Sequence, residues 1–283
     1  MRIEAVICAA GLMAGAHGVS FAQPQLGFEA SPAEFLGAAR AGAADMSGVP
    51  PAVRASSRQA SALDKLIQDF KTAHGDADID RPTAAQLTVG AALSGRSLGE
   101  LMGAFKAAHQ DDDIDRVSAA QLAVGAALSG RPAGELVQSF KTAHQDADVD
   151  RPTAARLTVA AALSGRSAGE LIVSFKTAHQ DADIDRGTAA QLAAEAAVSG
   201  RPVGELIDSF KTAHQDADID RTTAARLAAG AAVSGAPVGV LIQDFKTAHQ
   251  DADIDRVSAA RLAVGAAMSG APTNKRLMMA LLQ

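Results

Sequence analysis

The chain contains no tryptophan and no tyrosine, and its aromatic content is nine phenylalanines in 283 residues. Large aromatic anchors for a partner are therefore scarce. The single cysteine, Cys8, rules out an intrachain disulfide framework and any cysteine-rich zinc site. Basic residues do not dominate: 26 Lys and Arg stand against 32 Asp and Glu, for a net charge of −6. Such a chain lacks the positive footprint that neutralises phosphates, which argues against a nucleic-acid partner. It is equally ill suited to an anionic membrane surface. The apolar stretch from Ala5 to Met13 is too short to span a bilayer.

What that stretch does fit is a leader. A short apolar segment runs into small residues and ends in Ser20-Phe21-Ala22, ahead of Gln23. This predicts a secretory signal peptide over 1–22, cut after Ala22, and a secreted or periplasmic product. Glu4 offsets Arg2, so the leader's start carries little positive charge. Residues 23–61 are punctuated by Ser31-Pro32, Pro50-Pro51 and Ser56-Ser57, and read as linker with room for one short helix near 32–44.

Beyond the linker the chain repeats itself. Phe70, Phe105, Phe140, Phe175, Phe210 and Phe245 recur every 35 residues, and so do His74, His109, His144, His179, His214 and His249. The units are 62–96, 97–131, 132–166, 167–201, 202–236 and 237–271. A fixed period of this length marks a stacked array in which each unit buries its apolar face against its neighbours.

One unit shows how. Ser97-Leu98-Gly99-Glu100 has the form of a capping box, repeated at Ser167–Glu170. Leu98, Leu101, Met102, Phe105, Ala108 and His109 then share a helical face, which predicts helix A over 98–109. The acidic run 110–116 reads as a loop whose single apolar residue, Ile114, plugs into the core. Ser118-Ala119-Ala120-Gln121 and Thr83–Gln86 look like second capping boxes opening helix B, which ends at Ser129-Gly130 with glycine in the left-handed C′ position. Two helices per 35 residues give an αα-hairpin. The expected fold is all-α: an α-solenoid of six hairpin repeats, closed by a C-terminal capping helix over 272–283.

The recurring chemistry is His-x-Asp-x-Asp-x-Asp, as in His144, Asp146, Asp148 and Asp150, and again with Asp181, Asp183 and Asp185. These six carboxylates are the candidate ligands for a divalent cation, with calcium the natural one. Over about six residues the run resembles an EF-hand loop, but Arg151 stands where that loop needs glycine and Leu157 where it needs a bidentate glutamate. The competing reading makes the carboxylates a solvated loop that caps helix B and pairs with Arg81, Arg116, Arg151, Arg186, Arg221 or Arg256. The histidines, one turn past the phenylalanines, read as structural groups bonded to a following Asp.

Six interchangeable units look like a surface, whereas an enzyme needs one asymmetric constellation. Glu195 is the one odd residue, and it reads as an exposed position that has drifted. Three positions vary between otherwise near-identical copies. On helix A they are Gln68, Gly103, Gln138, Val173, Asp208 and Gln243. Ahead of helix B they are Pro82, Val117, Pro152, Gly187, Thr222 and Val257, and within it Gly90, Gly125, Ala160, Glu195, Gly230 and Gly265. Variation at fixed points of a rigid repeat is how modular readers encode a ligand, and the competing reading is neutral drift at solvent-facing sites after duplication.

The period is near that of pentatricopeptide, tetratricopeptide and TAL-effector repeats, but none of their signatures is present, so the resemblance extends to geometry alone. The expected function is that of an exported, non-enzymatic interaction scaffold, directed to a host or a cell surface. Its contact residues are the helix A series beginning at Gln68, and its partner is a protein carrying a basic patch. The alternatives are a cation-binding array and a modular nucleic-acid reader.

Overall fold

The computed structural model describes residues 51–268, with side chains from Leu63 onward. The leader, the linker up to residue 50 and the cap 272–283 lie outside the described residues. The chain divides into two compact units, Met1–Asp69 and Phe70–Gln283. The first described helix, Pro51–His74, crosses that boundary, and all later helices belong to the second unit.

Among the described residues there are twelve α-helices and no strand. They are α1 (Pro51–His74), α2 (Arg81–Ser94), α3 (Leu98–His109), α4 (Arg116–Ser129), α5 (Ala133–His144), α6 (Arg151–Ser164), α7 (Ala168–His179), α8 (Arg186–Ser199), α9 (Val203–His214), α10 (Arg221–Ser234), α11 (Val238–His249) and α12 (Arg256–Met268). Odd-numbered helices are the A helices of the hairpins and even-numbered ones the B helices. The array is a helical solenoid in which each hairpin packs on the next.

Each A helix is amphipathic. In α3, Leu101, Phe105 and Ala108 are buried at successive turns, while Gly103 and Ala107 face water. Phe105, Phe140, Phe175, Phe210 and Phe245 are all fully buried. Burying one such ring contributes roughly 1.5–3 kcal/mol. Ser97 and Ser167 close both halves of their capping boxes with Glu100 and Glu170. The acidic loop then returns the chain, and Ile114 plugs the core with 2% of its surface exposed.

The B helices begin earlier than their Ser/Thr-x-x-Gln patterns suggest. The last aspartate of each loop is the N-cap: Asp80, Asp115, Asp150, Asp185 and Asp220 accept the backbone N–H of Thr83, Ser118, Thr153, Thr188 and Thr223. Asp is a strong capping acceptor and comes first in the chain, so Thr and Ser move to the third helical position. Their ends follow expectation, with Gly130 at φ 73° and its four counterparts also left-handed. Helix α1 also starts earlier than expected, at Pro51 instead of beyond residue 61. Pro51 suits a first turn, and Ser56 and Ser57 lower helix propensity only modestly.

The hairpins are not stacked evenly. The B helices α4, α6, α8 and α10 each pack closely on the B helices of both neighbouring repeats, whereas successive A helices from α3 onward touch sparsely. Close approach follows from small residues. A Cβ built on Gly90 would lie 2.6 Å from Val124 Cγ2, on Gly125 2.7 Å from Val159 Cγ2, and on Gly230 2.7 Å from Val264 Cγ2. Valine of one B helix thus sits in a notch left by glycine on the one before it. Where the notch is filled the knob shrinks: at the equivalent pairs, Ala160 precedes Ala194 and Glu195 precedes Ala229. This third variable series is therefore a packing series. Gly90, Gly125, Ala160, Glu195 and Gly230 are buried, and only Gly265 is exposed.

Candidate functional site

The acidic loops are built as turns and as staples. In the third repeat Asp146 Oδ1 accepts the N–H of Asp148 at 3.1 Å, and its Oδ2 lies 2.7 Å from Lys176 Nζ in the next repeat. Asp150 spends Oδ1 on the Thr153 N–H at 3.0 Å, and its Oδ2 lies 3.6 Å from Arg186 Nη1. Asp181 pairs with Lys211 and Asp185 with Arg221 in the same way. The middle aspartates, Asp148 and Asp183, stay exposed, Asp148 within 3.6 Å of Lys176. The Lys176 ammonium and then the Asp148 N–H hold the Asp146 carboxyl below its usual range. Asp150 is also held low, its Thr153 hydrogen bonds and Arg186 outweighing partial burial. The six candidate cation ligands thus have first and last members turned to helix caps and inter-repeat pairs. Among the described residues no three His, Cys, Asp or Glu side chains converge as a metal ligand set.

The same two contacts form a ladder. Lys106–Asp76, Lys141–Asp111, Lys176–Asp146, Lys211–Asp181 and Lys246–Asp216 join each repeat to the one before it. Arg116–Asp80, Arg186–Asp150, Arg221–Asp185 and Arg256–Asp220 form a second rail. Each exposed pair contributes little, about 0–1 kcal/mol, so the ladder sets register more than stability.

The histidines rest on the phenylalanines one turn before them, with ring centroids 5.4–5.8 Å apart. Nδ1 of His144 lies 3.2 Å from the carbonyl oxygen of Val149, and Nδ1 of His249 lies 3.3 Å from that of Ile254. In these two the partner is the backbone of the loop's plug residue, not an aspartate carboxylate, whereas Nδ1 of His109, His179 and His214 is buried without a hydrogen-bond partner. Where that bond forms, the ring ties the end of helix A to the return of the loop; the expected bond to a following Asp is not made.

The helix A series is a surface series. Gly103, Gln138, Val173, Asp208 and Gln243 are all exposed in the second unit, and Gln68 is exposed in the first. Val173 is 66% exposed, an unusual position for a large aliphatic side chain. The series ahead of helix B, from Pro82 to Val257, is exposed throughout.

Glu195 is not on the surface. It lies in α8 with no exposed area, at the notch position of the B layer. Gln191 Nε2 donates to its Oε1 at 3.2 Å, and Oε2 has no hydrogen-bond partner. Burial pushes the carboxyl up to about 8, against the Gln191 hydrogen bond and the attraction of Arg156 and Arg226. Those arginines come from α6 and α10, the B helices on either side of α8. Burial pulls the Arg156 guanidinium down from its usual range, and Glu195 and Asp150 oppose that. Arg226 is pulled down by burial and then by Arg261, against Glu195 and Asp220. Its Nε and Nη1 are buried without partners. Periodicity could not reveal this site, because helix B is alanine on nearly every side. The signal was the 34-residue pairing: the glycine notches 90, 125 and 230 are followed by valine, whereas Ala160 and Glu195 are followed by alanine at 194 and 229.

A cleft of about 270 Å³ between α9, α10 and α11 is lined by Arg201, Glu205, Leu206, Ser209, Ala232 and Val238. Within that lining Arg201 pairs with Glu205 at 3.1 Å. No helix among the described residues is long and apolar enough to cross a membrane. No protein-family model matches the chain, and no curated protein matches it either.

Proposed function

We propose that this protein is a non-enzymatic interaction scaffold that binds another protein along its A helices. One observation carries the reading. The repeats are held in constant register by buried Leu, Phe and Ala and by the Lys–Asp ladder, while one exposed position per helix changes chemistry from copy to copy: Gly103, Gln138, Val173, Asp208, Gln243. A rigid frame with a variable exposed point presents a row of distinct contacts at low conformational cost. The middle aspartates of the loops, such as Asp148 and Asp183, stay exposed and add negative charge to the surface, which favours a partner with a basic patch and a salt-sensitive association rate. The leader-like start fits export, and a host or surface setting is the corresponding place of action.

The test is affinity capture with the full chain as bait, beside a second bait in which Gln138, Val173, Asp208 and Gln243 are all alanine. The proposal expects a protein retained by the first and lost by the second while both baits keep the same helicity. Equal retention by both refutes the helix A surface. Calorimetry with calcium addresses the rival: heat at millimolar metal that vanishes when Asp148 and Asp183 become asparagine would favour a cation-binding array.

A further inference from the structure

We propose that copies of this chain associate head to tail, with the α12 face of one copy seated on the α2 face of the next. The two ends of the described array are the two halves of the junction that recurs inside it. Leu87, Leu122, Leu157, Leu192 and Leu227 are each fully buried, yet their counterpart Leu262 in α12 is 55% exposed. Gly90, Gly125 and Gly230 each receive a valine, yet a Cβ on Gly265 would meet nothing within 4 Å. That is an empty notch. At the other end, Val89 of α2 occupies the knob position filled by Val124, Val159 and Val264. Those three are buried, whereas Val89 is only half-buried. Ala85 is likewise half-buried, while Ala120, Ala155, Ala190, Ala225 and Ala260 are fully enclosed.

Charge complements shape. The Lys–Asp ladder needs a lysine from the following repeat, and among the described residues Asp251 has the Asp253 N–H on Oδ1 but no lysine. The Arg rail stops likewise at Asp255, which caps Ser258 and, among the described residues, meets no arginine of a following repeat. The matching cations stand exposed at the start of the array: Lys71, in register with Lys106, and Arg81, in register with Arg116. Docking Gly265 against Val89 therefore brings Lys71 to Asp251 and Arg81 to Asp255, the contacts already made at the internal junctions. The interface is heterologous, so it has no two-fold axis to limit it to a dimer.

Sedimentation of the full chain across ~1–200 μM reads the association, a range that captures micromolar affinity. The expected result is mass rising beyond the dimer, weakened by salt through the two ion pairs. Leu262→Asp, on an exposed site that leaves the fold intact by circular dichroism, is expected to weaken it at least about 30-fold. Directed crosslinking reads the geometry. In a Cys8→Ser background, Gly265→Cys and Val89→Cys chains are mixed and oxidised; removing the valine makes room for the new Cβ. Disulfide between the two variants, with none when either is oxidised alone, supports the proposal. A monomer throughout the range, as when residues 272–283 cover α12 themselves, overturns it. So does a Gly265→Cys homodimer, which would mean a two-fold contact.

Discussion

Replacing Glu195 by glutamine should make the protein more stable, and the gain should grow with pH. The carboxyl is fully buried, with one hydrogen bond from Gln191 and one oxygen unpartnered, and burial raises it from 4.5 to about 8. A group whose folded value is raised binds its proton more tightly in the folded state. Its contribution is therefore fully present below about pH 4.5 and is lost as pH rises through about 8. At about 1.4 kcal/mol per unit, the whole shift has a ceiling of about 5 kcal/mol. Water penetration and the two arginines reduce this, so a gain of about 1–3 kcal/mol at pH 8.5 is the expectation. Urea unfolding of wild type and Glu195→Gln at intervals from pH 5 to 9, followed by circular dichroism, measures it. The curves should nearly coincide at pH 5 and diverge toward pH 8.5. A difference independent of pH would refute the reasoning. A variant that becomes progressively less stable than wild type as pH rises would refute it more strongly. That outcome would mean Arg156 and Arg226 hold Glu195 ionised, and that removing it strands two buried cations.

The notch-and-knob reading predicts a compensating pair. Gly125→Ala places a methyl 2.7 Å from Val159 Cγ2 and should cost about 1–3 kcal/mol despite alanine's better helix propensity. Adding Val159→Ala recreates the Ala160–Ala194 pairing and should recover most of the loss, so a double-mutant cycle that proves additive would reject the contact. Asp150→Ala removes the N-cap of α6 and should cost about 0.5–2 kcal/mol at pH 7 by denaturant unfolding. Because the Asp150 carboxyl is held low in the folded state, its contribution is present above about pH 4 and lost as pH falls below that, so wild type and variant should converge in acid. Lys176→Met breaks one rung of an exposed ladder and should change stability by less than about 1 kcal/mol, with a larger loss showing that the ladder does more than set register.

Much of the fold was legible because its signals are local and repeated. Helix A was readable to the residue: Ser97 and Glu100 mark its start, and Leu101 and Phe105 mark its buried face. Glycine at 130 marked the end of helix B, since only a left-handed residue suits that place. Helix B itself was opaque. Alanine is equally at home inside and outside, so its apolar pattern has no preferred direction. Glu195 was misread for that reason, as were Gly90, Gly125 and Gly230, whose variation records packing between neighbouring B helices. The start of helix B was misplaced because Thr153 and Ser118 imitate caps, although Asp150 and Asp115 already supply one. In the acidic loops the residue types were visible, but which carboxylate faced a lysine depended on the next repeat 30 residues on.

The central claim is that one hairpin cannot hold its own core, and that the shared Leu, Phe and Val between hairpins gives the chain its structure. Circular dichroism of the 35-residue segment 132–166, beside segments of two, three and six repeats, tests it most directly. The account predicts mostly coil for the single hairpin and midpoints of unfolding that climb with each added repeat. A lone hairpin as helical and as stable as the six-repeat array would contradict it.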